Sequence, residues 1–124
     1  MQKLTFHPAW EKTLSVKDKE QIEQSFHHTR FSSCSIHFTP LWEAINHKGE
    51  LLVTVIIHNS TDGPVLFHHQ QFIYEKNRTV IASSNFSLPS QVQKETSMPW
   101  TFIFPSGTFT DASEIKGGEI TMKE

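Results

Sequence analysis

Histidines are the side chains of this sequence best suited to chemistry, because imidazole is a common metal ligand and titrates near neutral pH. His58 lies near the end of a predicted strand and could meet His68 or His69 across the turn that follows the strand. Adjacent residues of a strand point to opposite faces, so His68 and His69 together offer one ring to each face. Closed zinc sites need three or four converging ligands. The pattern leaves open a two-histidine surface site or small-ligand sensor, with exposed polar side chains as the other interpretation, and we expect no resident cofactor.

Residue sets typical of enzymes do not occur in this sequence. It contains no Ser/His/Asp set, no glycine-rich phosphate loop and no HExxH motif. Cys34 is the single cysteine, so no intramolecular disulfide can form, and we expect it to be a small buried side chain on a strand. The sequence therefore predicts a protein that is not an enzyme.

The composition is that of one folded domain with an ordinary solvated surface. The chain has 124 residues and a formal net charge of −2, without the basic stripe that phosphate backbones require. We therefore expect no nucleic-acid partner. The sequence shows no apolar run long enough for a signal-peptide core or a membrane span, so we expect a cytoplasmic protein, with the cell surface as the alternative.

The element that organises the fold is a predicted central strand, Leu51–Asn59, the densest run of apolar and β-branched residues in the chain. Alternation along this run predicts that both of its faces are at least partly covered. Leu51, Val53, Val55 and Ile57 fall on one face, and Leu52, Thr54, Ile56 and His58 fall on the other.

The first 33 residues show helical spacing instead. Residues 1–14 read as an arm in which Pro8 opens a short helical turn, and an amphipathic helix over 16–28 follows with Ser15 as its N-cap. We expect this helix to cover one face or end of the sheet.

The remaining strands follow from alternation interrupted by turns. Ile36, Phe38, Trp42 and Ala44 share one parity, and Pro40 between them predicts an edge strand or a bulge. The same argument predicts a strand in which Val80, Ala82 and Phe86 share a face, and a last strand at Ile120–Met122. Met98, Trp100, Phe102 and Phe104 also alternate, which predicts that Trp100 is buried between two sheets.

Six or seven short strands at close spacing indicate an immunoglobulin-like antiparallel β-sandwich. We expect a single domain over residues 1–124, composed of an arm at 1–14, a helix at 16–28 and a sandwich at 34–124.

Three segments of the chain carry a family resemblance. These are the HPAW sequence at 7–10, the strand that ends at Asn59, and the PWTFIFP sequence at 99–105. Together they resemble the SLAP domain, the surface-layer-associated domain of Bacillus-like Firmicutes, which also occurs in the accessory Sec system surface-layer assembly protein. SLAP domains often have a tryptophan in the last strand, where this chain has Ile120 and Met122. The matching motif positions are His7, Pro8, Trp10, Pro99, Trp100, Phe102, Phe104 and Pro105, and most are expected to be structural.

The resemblance implies a non-catalytic module that binds another protein, such as a surface-layer or accessory Sec component. Two features could provide the contact. An open sheet edge can accept a partner strand, and the edge opposite the Pro40 strand is the better candidate because proline blocks pairing. His7 could alternatively act as a hook for the partner, although we favour a role in which its ring hydrogen-bonds a backbone carbonyl and fixes the arm. The oligomeric state stays open.

Overall fold

The computed structural model describes residues 2–30, 35–107, 109 and 115–123. The prediction for Cys34 lies outside these residues. Seven strands and two helices form the described part of the chain, in the order β1 (Lys3–Leu4), α1 (Pro8–Thr13), α2 (Val16–His27), β2 (Ile36–Ile45), β3 (Leu51–Asn59), β4 (Gln70–Lys76), β5 (Thr79–Phe86), β6 (Thr96–Phe104) and β7 (Glu119–Lys123).

Both helices begin where the sequence predicts. Pro8 is the first residue of α1, where a missing backbone N–H costs no helical hydrogen bond. Ser15 caps α2, and its side chain accepts a hydrogen bond from the Asp18 N–H at 3.1 Å. Neither helix of the described chain has the length and apolar character needed to cross a membrane.

The strands form two sheets that pack face to face. Sheet I has the order β1-β6-β3-β2, and sheet II has the order β5-β4-β7. β2, β3 and β6 lie side by side as strands A, B and E do in immunoglobulin-like domains, and β4 pairs with β7 as strand C pairs with F. The predicted immunoglobulin-like sandwich and its central strand β3 are thus confirmed.

The main core lies between the inner faces of the two sheets. β3 contributes the face that the sequence predicted, and sheet II contributes Phe72 and Tyr74, which are almost completely buried. Phe102 of β6 lies 4.6 Å from Phe72, measured between ring centroids. Aromatic rings at such separations add to the stability gained from burying their area.

A bulge in β2 overturns part of the predicted alternation. Pro40 pairs with Val55, but the next paired residue is Trp42, opposite Thr54, so Leu41 is the extra residue. One inserted residue moves all later side chains to the other face. Trp42 and Ala44 therefore lie on the outer face of sheet I and do not share the inner face with Phe38. The prediction of an edge strand with a bulge at Pro40 is nevertheless confirmed.

A second bulge has the same effect in β5. Tyr74 pairs with Ala82 and Glu75 pairs with Val80, which leaves Ile81 as the extra residue. Val80 consequently points outward and is 53% exposed, whereas Ala82 is buried. The expectation that Val80 and Ala82 share a face is wrong for this physical reason.

Candidate functional site

The N-terminal arm closes one edge of sheet I. β1 runs parallel to β6, with Leu4 paired to Ser97. The Lys3 N–H donates to the Glu95 carbonyl at 2.9 Å, and the Thr5 N–H donates to the Ser97 carbonyl at 2.8 Å. The edge opposite β2, which the sequence favoured as a docking edge, is therefore partly occupied by the chain's own arm.

His7 connects two of the segments that carry the family resemblance, residues 7–10 and residues 99–105. Its Nδ1 accepts a hydrogen bond from the Ala9 N–H at 3.2 Å, which makes it the N-cap of α1. The ring also meets Trp100 edge-on, with centroids 6.0 Å apart. The sequence predicted that this ring would bond a backbone carbonyl, but the bond formed by Nδ1 is to a backbone N–H. An N-cap must accept, because the first N–H groups of a helix lack partners within it.

The other motif residues differ in how far they are buried. Trp100 packs against the core but is only partly buried, so the prediction that it is buried between the sheets is corrected. It lies on the inner face opposite Val55, near the sheet edge that the arm covers. Phe102, Phe104 and Pro99 are buried, Trp10 is partly buried, and Pro8 and Pro105 are exposed.

The outer face of sheet I is the face that carries His37, Thr39, Ile56, His58 and Ser97. A chain of hydrogen bonds, which we call the outer-face chain, crosses it. It begins at Thr29, just after α2, whose hydroxyl lies 3.2 Å from the Thr39 hydroxyl. Thr39 Oγ1 lies 2.7 Å from His58 Nε2, and His58 Nδ1 lies 2.7 Å from Ser97 Oγ. Gln2 Nε2 of the arm donates to the same Ser97 oxygen at 3.1 Å. The outer-face chain thus ties the end of α2 to the N-terminal arm through three strands.

Electrostatics keep His58 neutral in this chain. The side chain is completely buried, and its ring stacks on His37 with centroids 4.6 Å apart. Burial disfavours the imidazolium, and the nearby His37 adds a repulsive charge, so the pKa of His58 falls to about 3. Burial also lowers the pKa of His37. A neutral imidazole has one donor and one acceptor nitrogen, which matches its two hydroxyl neighbours.

The structure does not place the predicted two-histidine site in one accessible group. His68 and His69 are exposed and contact each other, with ring centroids 4.3 Å apart. His58 has both ring nitrogens within hydrogen-bonding distance of hydroxyl groups and is buried. A metal ion from solution would have to displace those contacts to reach it. Within the described ranges, no three His, Cys, Asp or Glu side chains form a group that could hold a metal ion.

Asn59 holds a second buried polar junction, at the end of β3. Its Nδ2 donates to the carbonyls of Gly63 and Val92 at 3.0 Å and of Gln93 at 3.1 Å. Its Oδ1 accepts from the N–H of Thr61 at 3.0 Å. Asn59 is 1% exposed, so these bonds replace the water that its amide loses. The amide thus fixes the turn after β3 against the segment that leads into β6.

Sequence reasoning missed the outer-face chain, although one signal pointed to it. His58 alternates with Ile56 and Thr54 on one face, which predicts a covered histidine, and a covered histidine needs polar partners. Those partners, Thr39 and Ser97, are 19 and 39 residues away in the sequence. No local spacing marks them.

Comparison with known proteins assigns the chain to a family. The family model described as the SLAP domain matches residues 4–122. Searches of curated proteins and of solved structures returned no significant match. The match covers nearly the entire chain, including the arm with His7 and the strand with Trp100, which contact each other in the structure. The chain therefore belongs to the SLAP domain family.

Proposed function

We propose that this chain is a non-catalytic protein-binding module that assists the export or assembly of surface-layer proteins through an accessory Sec pathway. The observation that carries the proposal is the SLAP domain match over residues 4–122. The proposed partner is a surface-layer protein or a component of the accessory Sec machinery, and the proposed location of the chain is the cytoplasm.

The internal contacts support a binding role because they assign the conspicuous side chains to the fold. His7 caps α1 and contacts Trp100, while His58 is enclosed among hydroxyl groups. The side-chain amide of Asn59 likewise forms hydrogen bonds with backbone groups. These residues act as ties between segments, so contact with another protein is left to other surfaces, such as an edge of sheet II.

Deletion of the gene from its host tests the proposal. Surface-layer protein in the wall fraction should fall, while proteins exported by the general route should stay at their normal level. Complementation with the wild-type chain should restore the surface layer, and so should the Ile103→Ala variant, since Ile103 is 45% exposed and its loss leaves the core intact. A surface layer that is unchanged in the deletion strain would contradict the proposal.

Cell fractionation tests the location separately. The proposal predicts that the chain is recovered with cytoplasmic proteins. Recovery in the wall fraction alone would contradict the cytoplasmic location. It would not bear on the role in assembly, which the deletion experiment tests.

A further inference from the structure

The sheet edges in the described part of the chain differ in how they are protected against pairing. β2 carries Pro40 and a bulge, and β5 carries a bulge and is bridged by Phe109 at Ala82. The arm strand β1 covers one end of β6. β7 pairs regularly with β4 over five residues and has neither a bulge nor a proline. Regular edges are the ones that accept another strand, because their outward N–H and C=O groups stay in line.

Open space lies beside β7. A groove of about 670 Å³ separates it from the first residues of β2, and its walls are Ile36, His37, Phe38 and residues 119–123. Ile36, Phe38 and Met122 are partly buried side chains that pack against the core. A strand added along β7 would cover the exposed parts of these three side chains, which favours association.

The charges of β7 indicate which strand fits. Glu119 and Lys123 are exposed at opposite ends of the strand, and both lie on the outer face of sheet II with Thr121 between them. On the β4 side, Glu119 is paired with Glu75, which places two like charges on neighbouring strands. A strand with a lysine opposite Glu119 and an acidic residue opposite Lys123 would offset this repulsion.

A second copy of β7 meets this requirement. When two β7 strands run antiparallel about a two-fold axis through Thr121, Glu119 of each copy lies opposite Lys123 of the other. Ile120 then lies opposite Met122, and the two Thr121 side chains face each other, which is also a favourable cross-strand pair. Because the axis is two-fold, each favourable contact occurs twice except the central one.

We infer that β7 is a self-pairing edge through which two copies of this chain form an antiparallel dimer centred on Thr121, with reciprocal Glu119–Lys123 contacts. The dimer joins the two copies of sheet II into one continuous sheet. This inference stands independently of the proposed role in surface-layer assembly, since it requires only the chain itself.

Sedimentation equilibrium on the purified full chain tests the inference. The wild-type chain should show a concentration-dependent monomer–dimer equilibrium that weakens as salt is raised, because salt screens exposed charges. Glu119→Lys and Lys123→Glu should each raise the dimer dissociation constant at least about tenfold, since each change replaces both attractive pairs by repulsive ones. The double variant Glu119→Lys/Lys123→Glu should return to about the wild-type dissociation constant, because the swapped charges are again complementary.

Two controls keep the result specific. Glu11→Lys makes the same charge change on the exposed surface of α1 and should leave the dissociation constant unchanged. Circular dichroism should show that each variant is folded. A chain that stays monomeric at every accessible concentration would overturn the inference and assign Glu119 and Lys123 to blocking the edge. A dimer that ignores the single charge reversals, or that the double variant does not restore, would overturn it as well.

Discussion

The central strand β3 carries buried side chains on both of its faces, yet different forces hold the two faces. On the inner face, Val53 and Val55 of β3 pack among apolar side chains, where burial alone stabilises the fold and contacts need no fixed direction. On the outer face, His58 is equally buried but belongs to a chain of directional hydrogen bonds. A polar group in such a place is costly unless every partner is present. Side chains that are equally buried on one strand can therefore differ in how their stability depends on pH and on the loss of one partner.

The largest effect is expected on the inner face. Phe102→Ala deletes a completely buried ring that contacts Phe72, and should lower the free energy of unfolding by roughly 3–5 kcal/mol. Denaturation with urea measures the change. Ile103→Ala, one residue along the strand and 45% exposed, is the matched control and should change stability by less than about 0.5 kcal/mol. Equal losses in the two variants would mean that β6 has been assigned the wrong parity.

The second-largest effect is a pH dependence of the free energy of unfolding, caused by His58 on the outer face. The pKa of His58 is about 3 in the folded chain and about 6.5 when unfolded, so the unfolded state binds more protons between these values. The stabilising contribution of a neutral His58 is complete above pH 6.5 and is lost progressively as pH falls toward 3. Between pH 6.5 and 5 the loss should be about 2 kcal/mol.

His58→Gln isolates this contribution, because glutamine keeps hydrogen-bonding groups but does not titrate. The difference in stability between pH 7 and pH 5 should be smaller by about 2 kcal/mol in this variant than in the wild-type chain. An identical pH profile for both proteins would show that other groups cause the acid sensitivity.

A smaller loss is expected from Ser97→Ala. The substitution removes the oxygen shared by His58 and Gln2 and leaves a buried ring nitrogen without that partner, so the free energy of unfolding should fall by about 1–3 kcal/mol. Ser90→Ala in an exposed loop is the control and should be neutral within about 0.5 kcal/mol. If both serine variants were neutral, the outer-face chain would contribute nothing to stability.

The smallest effect is expected at the start of the arm. Gln2→Ala removes hydrogen bonds to Ser97 and to the Asn59 carbonyl at partly buried sites. The free energy of local opening of the arm should fall by about 0.5–1.5 kcal/mol. Hydrogen exchange should accelerate at the amides of Lys3 and Thr5, which bond to the end of β6, and stay unchanged at Val55 in the central strand. Unchanged exchange at Lys3 would show that the arm does not depend on this side chain.

Sequence patterns predicted the inner face better than any other part of the molecule. Alternation in β3 and β6 identified the core residues because the chain there is regular. It failed after Leu41 and at Ile81, where one extra residue turns Trp42 and Val80 outward. A proline at position 40 hinted at the first bulge, but nothing in the sequence near Ile81 marks the second. A bulge depends on the partner strand, which a single strand's sequence does not contain.

The polar contacts were much less predictable than the apolar core, for a related reason. The role of His7 was anticipated as fixation of the arm, yet its actual bond, to the Ala9 N–H, depends on where α1 begins. The partners of His58 come from β2 and β6, and they meet it only once the strand register is set. Polar networks of this kind arise from long-range topology, so residue spacing can mark a covered histidine but cannot identify its partners.

The enclosure of His58 is tested most directly by its pKa, which NMR measures from the ring signals of the folded protein as the pH is lowered from 8. His58 should stay neutral while the chain remains folded, with a midpoint near 3 or no titration before unfolding begins. A His58 midpoint near 6.5 in the folded protein would be the contrary result, because it would mean that the ring is accessible to water and that the outer-face chain does not enclose it.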